Sequence, residues 1–219
     1  MARILVVNPN SSREVTASID NNLNPVRAGM SVDVDCLTLA SGPLAIESQA
    51  DIDSVVQPMV ALMQANPADA YVTACFSDPG LALAREVLDA PVVGIAESAM
   101  LMALGLGYRF GIIAILDVSV RRHLRYVRSL GLESRLAGDR PINMGVHESG
   151  DNSAVERILE VGKTLRDIDG ADVLILGCTG MAHRRELIEK ELGLPVIDPT
   201  QAAVVRAAGM LSLGYRRAA

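Results

Sequence analysis

A chain of 219 residues, half of them apolar, suffices for one large domain or two lobes of about 100 residues each. Aromatics make up only 3% and Trp is absent, so the core must be built from Ala, Val, Ile, Leu and Met. The net charge of −6 argues against a nucleic-acid-binding face, and no apolar run approaches the roughly 20 residues that cross a bilayer.

Met1-Ala2-Arg3 runs straight into Ile4–Val7, a stretch too short for a secretory core and followed by polar turn residues. The three cysteines are odd in number, far apart and without a CxxC pair, which speaks against a disulfide framework or a structural zinc site. The expectation is a soluble, cytoplasmic protein with reduced thiols and a small-molecule substrate, with no nucleic-acid or membrane partner.

Along the chain, short apolar runs read as buried parallel strands: Ile4–Val7, Val32–Leu39, Ala70–Ala74, Val92–Ile95, Phe110–Ile115, Val173–Leu176 and Pro195–Ile197. Asn143–Val146 reads as a further strand. Amphipathic helical stretches lie near Arg13–Leu23, Asp51–Gln64, Gly80–Leu88, Val118–Leu130, Asn152–Ile168, Arg184–Glu191 and Gln201–Leu213. This alternation predicts an α/β fold of parallel sheet flanked by helices.

The sequence also repeats itself. Ala68-Asp69-Ala70-Tyr71-Val72-Thr73-Ala74-Cys75 lines up with Ala171-Asp172-Val173-Leu174-Ile175-Leu176-Gly177-Cys178, 103 residues on. Leu88-Asp89-Ala90-Pro91-Val92-Val93 matches Leu192-Gly193-Leu194-Pro195-Val196-Ile197 at an offset of 104, and Arg3–Val7 is echoed more weakly from Arg109 at 106. Segments matching in order at a nearly constant offset predict two similar lobes related by an approximate twofold axis. The first would hold residues 1–95 plus 205–219 and the second 96–204, with a cleft between them.

Each copy ends its strand on a cysteine. Ligands bind beyond the carboxyl ends of parallel strands, and there Cys75 precedes Phe76-Ser77-Asp78-Pro79-Gly80 while Cys178 precedes Thr179-Gly180-Met181. Such loops offer backbone N–H groups and a following helix, a setting that favours thiolate and can hold a carboxylate or a developing oxyanion. One free cysteine argues little, because the type is often buried. Two at equivalent strand ends point to an opposed acid/base pair, one sulfur removing a proton from a stereocentre and the other returning one to the opposite face. Cys36, inside Val32–Leu39, lacks this context and reads as core.

With these motifs the chain resembles the Asp/Glu/hydantoin racemase superfamily, and within it the hydantoin/allantoin racemase branch. The resemblance spans essentially the whole sequence. Its carriers are Asn8-Pro9-Asn10-Ser11-Ser12, Ala74-Cys75-Phe76-Ser77-Asp78-Pro79-Gly80-Leu81 and Gly177-Cys178-Thr179-Gly180-Met181. It implies two pseudo-symmetric flavodoxin-like lobes with the active site in the cleft between them, no pyridoxal phosphate or metal, and a homo-oligomer. By the same resemblance Cys75 and Cys178 are the catalytic pair, Asn8 reaches the substrate, and the amides of Phe76, Ser77, Thr179 and Gly180 grip carbonyl or carboxylate oxygen. Amino-acid racemases of the superfamily tend to carry Cys-Asn-Thr and Cys-Thr-His, unlike the Cys-Phe-Ser and Cys-Thr-Gly found here. Arylmalonate decarboxylases keep only the second cysteine, so Cys75 counts against that activity. Ala114-Ile115 stand where hydantoin racemases carry Thr-Thr, which removes two hydroxyls that a ring amide or carboxylate would use.

Glu97, following a strand end, reads either as a substrate N–H acceptor or as a cap of its own helix. Ser11 or Ser12 caps the helix after the first turn. His183 lies five residues past Cys178 and reads as a surface position at a helix start. His123 belongs with Arg121, Arg122 and Arg125 to a basic helix face, solvated or interfacial. No His/Asp/Glu spacing suits a metal. The expected function is racemisation or epimerisation at a carbon beside a carbonyl, in a hydantoin, allantoin or related cyclic ureide. The alternatives are an Asp/Glu-type amino-acid racemase, a maleate-type cis–trans isomerase and a non-catalytic binder of small acids.

Overall fold

The computed structural model describes residues 1–215, which divide into two compact units: Met1–Ser98 with the chain from Thr200 on, and Ala99–Pro199. The first is built on β1 (Ala2–Asn8), β2 (Val32–Thr38), β3 (Ala70–Thr73) and β4 (Val92–Gly94), a parallel sheet in the order β2-β1-β3-β4. Its helices are α1 (Arg13–Asn22), α2 (Asn24–Ala28), α3 (Gln49–Ala65), α4 (Leu81–Val87), the start of α5 (Ile95–Ala103) and nearly all of α9 (Pro199–Ser212). The second unit carries β5 (Phe110–Ala114), β6 (Leu136–Pro141), β7 (Val173–Leu176) and β8 (Val196–Ile197) in the order β6-β5-β7-β8, with α6 (Asp117–Ser129), α7 (Ala154–Asp167) and α8 (Arg185–Leu192). The strand order is therefore the same in both units, as the offset repeat predicts.

The central strands are apolar because neither face meets water. Ile4, Leu5, Val6 and Val7 of β1 are fully buried, as are Val173, Leu174, Ile175 and Leu176 of β7. Leu5 and Val7 pack with Val55, Met59, Met63 and Tyr71 in the first unit's core, where unbranched methionines fill the space that large aromatics take elsewhere. Among the described residues no helix is long and apolar enough to cross a membrane.

The pattern fails at one strand. Asn143–Val146 is not a strand; the edge strand is Leu136–Pro141, whose Gly138, Asp139 and Pro141 are all depleted in sheets. An edge position tolerates Pro141, and the polar residues find partners: Arg140 reaches Asp169 at 2.5 Å and Asp139 Oδ2 lies 2.9 Å from Nδ1 of His123. That pairing takes His123 out of the basic face read as solvated or interfacial, while Arg121 and Arg125 are exposed as expected. His123 and Arg122 are buried, with Ser119 and Val127 on the same side. Burial pushes the Asp139 carboxyl up, and the His123 hydrogen bond partly offsets this.

Candidate active site

Cys75 and Cys178 both follow the C-terminal end of the strand third in its sheet order, β3 and β7. In each unit the chain then turns back, with the cysteine carbonyl accepting the amide three residues on. The Cys75 carbonyl accepts the Asp78 amide at 2.9 Å, and the Cys178 carbonyl accepts the Met181 amide at 3.2 Å. The central residues of these turns are Phe76-Ser77 and Thr179-Gly180, the four residues whose amides the motifs singled out. Ser77 is half-buried and makes no hydrogen bond among the described residues. Thr179 and Gly180 open a 3₁₀ helix, Thr179–Arg184, whose first N–H groups have no acceptor within the helix. A 3₁₀ helix, rather than an α-helix, thus follows Cys178; α8 begins only at Arg185. Likewise α4 begins six residues past Cys75, after Gly80 in the left-handed conformation (φ 67°).

Cys75 is half-buried and Cys178 is 7% exposed. Ser149 Oγ lies 3.9 Å from Cys178 Sγ and 2.8 Å from the Val146 carbonyl. A Cβ on Gly180 would come within 3.0 Å of both Ser149 Oγ and the Val146 carbonyl, so glycine there lets this segment sit against the cysteine. Arg184 fixes the same segment, donating to the Gly150 carbonyl at 2.7 Å and to Asn152 Oδ1 at 3.2 Å. Ser149 and Arg184 escape sequence reasoning, because Glu148-Ser149-Gly150-Asp151-Asn152 reads as an ordinary polar loop. His183 lies at the surface, as read from the sequence; partial desolvation of its ring, and then the neighbouring Arg184, lower its pKa.

In the first unit β1 lies beside β3, and the Ala74 amide donates to the Val7 carbonyl at 2.8 Å, which sets Asn8 next to the Cys75 turn. Asn8 itself is 1% exposed and faces inward. Its Nδ2 donates to Asn10 Oδ1 at 2.8 Å, Thr16 Oγ1 at 3.0 Å and the Ser12 carbonyl at 3.2 Å, and its Oδ1 accepts the Asn10 amide. These bonds hold the Asn10–Ser12 turn against α1. Ser12 is the helix cap, accepting the Val15 amide.

Glu97 is not the cap of α5. The carboxylate of Asp78 takes that place, accepting the amides of Ala96 at 3.0 Å and Glu97 at 2.9 Å. The Glu97 side chain, in a residue 8% exposed, instead accepts from Arg85 at 3.0 and 3.2 Å and from Arg206 at 2.7 Å, beside a cavity of about 520 Å³ walled by Pro91, Val92 and Met210. Burial alone would raise its pKa, but the two guanidiniums outweigh it and hold the carboxyl below its ordinary value of 4.5. Glu97→Gln should therefore cost about 1–3 kcal/mol at pH 7, less than a fully buried pair because both arginines are partly exposed. A carboxyl whose pKa is depressed in the folded state stabilises fully above its unfolded value and loses that contribution as pH falls through the folded one. Urea unfolding of wild type and variant should therefore converge below pH 4.5.

Cys36 contrasts with the other two thiols. On β2 it is pushed up to about 12, first by burial and then by Asp20. At pH 8 its thiolate fraction is about 10⁻⁴. Iodoacetamide on the native protein should modify it far more slowly than Cys75, as read by peptide mass spectrometry. Among the described residues no cluster of three or more His, Cys, Asp or Glu is placed to hold a metal ion.

The model of the Asp/Glu/hydantoin racemase family matches residues 4–207. A hydantoin racemase of Paenarthrobacter aurescens is 38% identical over 98% of this chain and 93% of its own. The solved allantoin racemase of Klebsiella pneumoniae superposes with a TM-score of 0.95 at 30% identity, covering 100% of this chain and 91% of that one. A glutamate racemase of Francisella tularensis shares the two-lobe, flavodoxin-like fold at 19% identity, with a TM-score of 0.69 over 97% of this chain and 82% of its own. The protein is accordingly an isomerase of the racemase class. The chain belongs to the Asp/Glu/hydantoin racemase family.

Proposed function

We propose that the protein racemises a hydantoin, allantoin or a related cyclic ureide, with Cys75 and Cys178 as the two bases and no cofactor. One observation carries the reading. The two cysteines each open a turn closed by a hydrogen bond from the third residue on, at equivalent strand ends of two sheets with the same strand order, so each unit contributes one thiol at the corresponding place. The names of the similar hydantoin and allantoin racemases support the substrate class.

In this mechanism one thiolate removes the proton from the ring carbon beside the carbonyl, and the opposite thiol delivers a proton to the other face. Negative charge moves onto the carbonyl oxygen as the proton leaves. The amides of Phe76, Ser77, Thr179 and Gly180 hold that oxygen and the ring's second carbonyl, and fixed donors of this kind act where charge develops. The end of β5 supplies no side-chain hydroxyl: Ala114 and Ile115 are buried and apolar, and their carbonyls accept the amides of Ile142 and Met144. The substrate's polar edge is therefore held by the turns. Reliance on reduced thiols fits a cytoplasmic enzyme, and we propose that it works there as a homo-oligomer.

Circular dichroism on optically pure hydantoins, allantoin, aspartate and glutamate tests the reading. Decay of the signal is expected with a hydantoin or allantoin, unaffected by chelators and carbonyl reagents and abolished by thiol alkylation. Decay with aspartate or glutamate alone would replace the substrate class, and loss of activity on metal removal would overturn the cofactor-free mechanism.

A further inference from the structure

Asp78 does three things at once. Its amide closes the Cys75 turn at 2.9 Å, its carbonyl accepts the Leu81 amide at 3.3 Å where α4 begins, and its carboxylate grips the Ala96 and Glu97 amides at the start of α5. The residue is 6% exposed, and its backbone stands in the left-handed region at φ 42°, which is strained for a residue other than glycine. Such a conformation persists only where its surroundings enforce it. The enforcing contact is the two-point bond to α5, at the helix end where a negative charge is favourable. The space for it is made by Gly94: a Cβ there would lie 2.2 Å from Asp78 Oδ2.

We propose that Asp78 is the positioning residue of Cys75, tying the turn that carries the thiol and the Phe76 and Ser77 amides to the rigid start of α5. This rests on the two-thiol reading above. The carboxylate need not touch substrate; it fixes where the turn stands. At Cys178 the turn is built differently: Met181 closes it, and Ser149 and Arg184 brace it from a different segment. The defect caused by removing Asp78 is therefore one-sided.

The test compares Asp78→Ala with Asp78→Asn, which tolerates the left-handed backbone and keeps one acceptor oxygen. The first readout is iodoacetamide alkylation of the native protein, followed on the Cys75 and Cys178 peptides. In Asp78→Ala the Cys75 rate should change at least threefold, roughly, while the Cys178 rate stays within about twofold. The second readout is solvent deuterium exchange from each substrate enantiomer. Exchange should fall about 10-fold or more for the enantiomer that Cys75→Ser also silences, and within about threefold for the other. Asp78→Asn should lie between wild type and Ala, and it carries the test should Asp78→Ala not fold. Equal changes at both cysteines, or no change at either, would overturn the proposal. Should Cys75→Ser itself show no preference between enantiomers, the two-thiol reading fails, and the alkylation ratio alone decides the role of Asp78.

Discussion

Cys75→Ser and Cys178→Ser should each lower racemisation in both directions by about 10²–10⁴-fold, the range that a well-placed acid or base contributes. Serine is nearly the size of cysteine, so each turn keeps its hydrogen bond from residue 78 or 181 and the fold is preserved. An alcohol, however, is far too weak an acid to supply a thiolate-like base at neutral pH. The full reaction needs a proton removed from one face and another delivered to the opposite face, so one missing thiol blocks inversion from either hand. Half of the chemistry survives. The remaining thiolate still addresses one face, so deuterium exchange from solvent should persist for one enantiomer in Cys75→Ser and for the other in Cys178→Ser. Circular dichroism reads the first effect and proton NMR in heavy water the second. A variant that racemises within about threefold of wild type would show that its cysteine is not a base, and the two-thiol mechanism would be wrong.

Gly177→Ala should damage both fold and activity, lowering stability by about 3 kcal/mol and racemisation by about 10²-fold. A Cβ at residue 177 would stand 2.6 Å from the Ile113 carbonyl oxygen and 3.3 Å from Ala114 Cα. These are backbone atoms of a buried central strand, and the same carbonyl accepts the Gly177 amide at 2.9 Å. Neither side can yield by changing a rotamer, so the end of β7 must move, and Cys178 is the next residue along. Gly193→Ala is the control. Its Cβ meets nothing within 4 Å, and its cost is that of a left-handed backbone (φ 68°), about 1 kcal/mol, with racemisation unchanged. Calorimetry and the dichroism assay together check both. A Gly177→Ala protein as stable and active as the control would sink the argument.

The parallel sheets and both cysteine turns were legible in the sequence because buried central strands are continuous apolar runs, and because the same strand-Cys-turn segment is written twice. Edge strand β6 was not, since Leu136–Pro141 owes its place to Asp139 meeting His123 and Arg140 meeting Asp169, partners 16 and 29 residues away that leave no local signal. The hydrogen-bond partners of Asn8, Asp78 and Glu97 were hidden for a related reason. All three are polar residues near strand ends, and sequence alone does not distinguish a side chain turned outward from one turned back on its own scaffold. Asp78 enters the sequence reading only as part of the Cys75 motif, and the approach of α5 across Gly94 shows what its carboxylate grips.

The division of the chain also sets an order of assembly during synthesis. The second unit is one unbroken stretch, Ala99–Pro199, whereas the first begins the chain and is completed only from Thr200 on. When a ribosome has delivered Pro199, Cys75, Cys178 and the eight described strands have been made, yet Glu97 still lacks Arg206 and the Asn22 carbonyl still lacks the Gln201 side chain that donates to it at 2.8 Å. The unit translated first is thus the last to close. Until α9 arrives, the start of α5 that anchors the Cys75 turn is held by Arg85 without its second arginine.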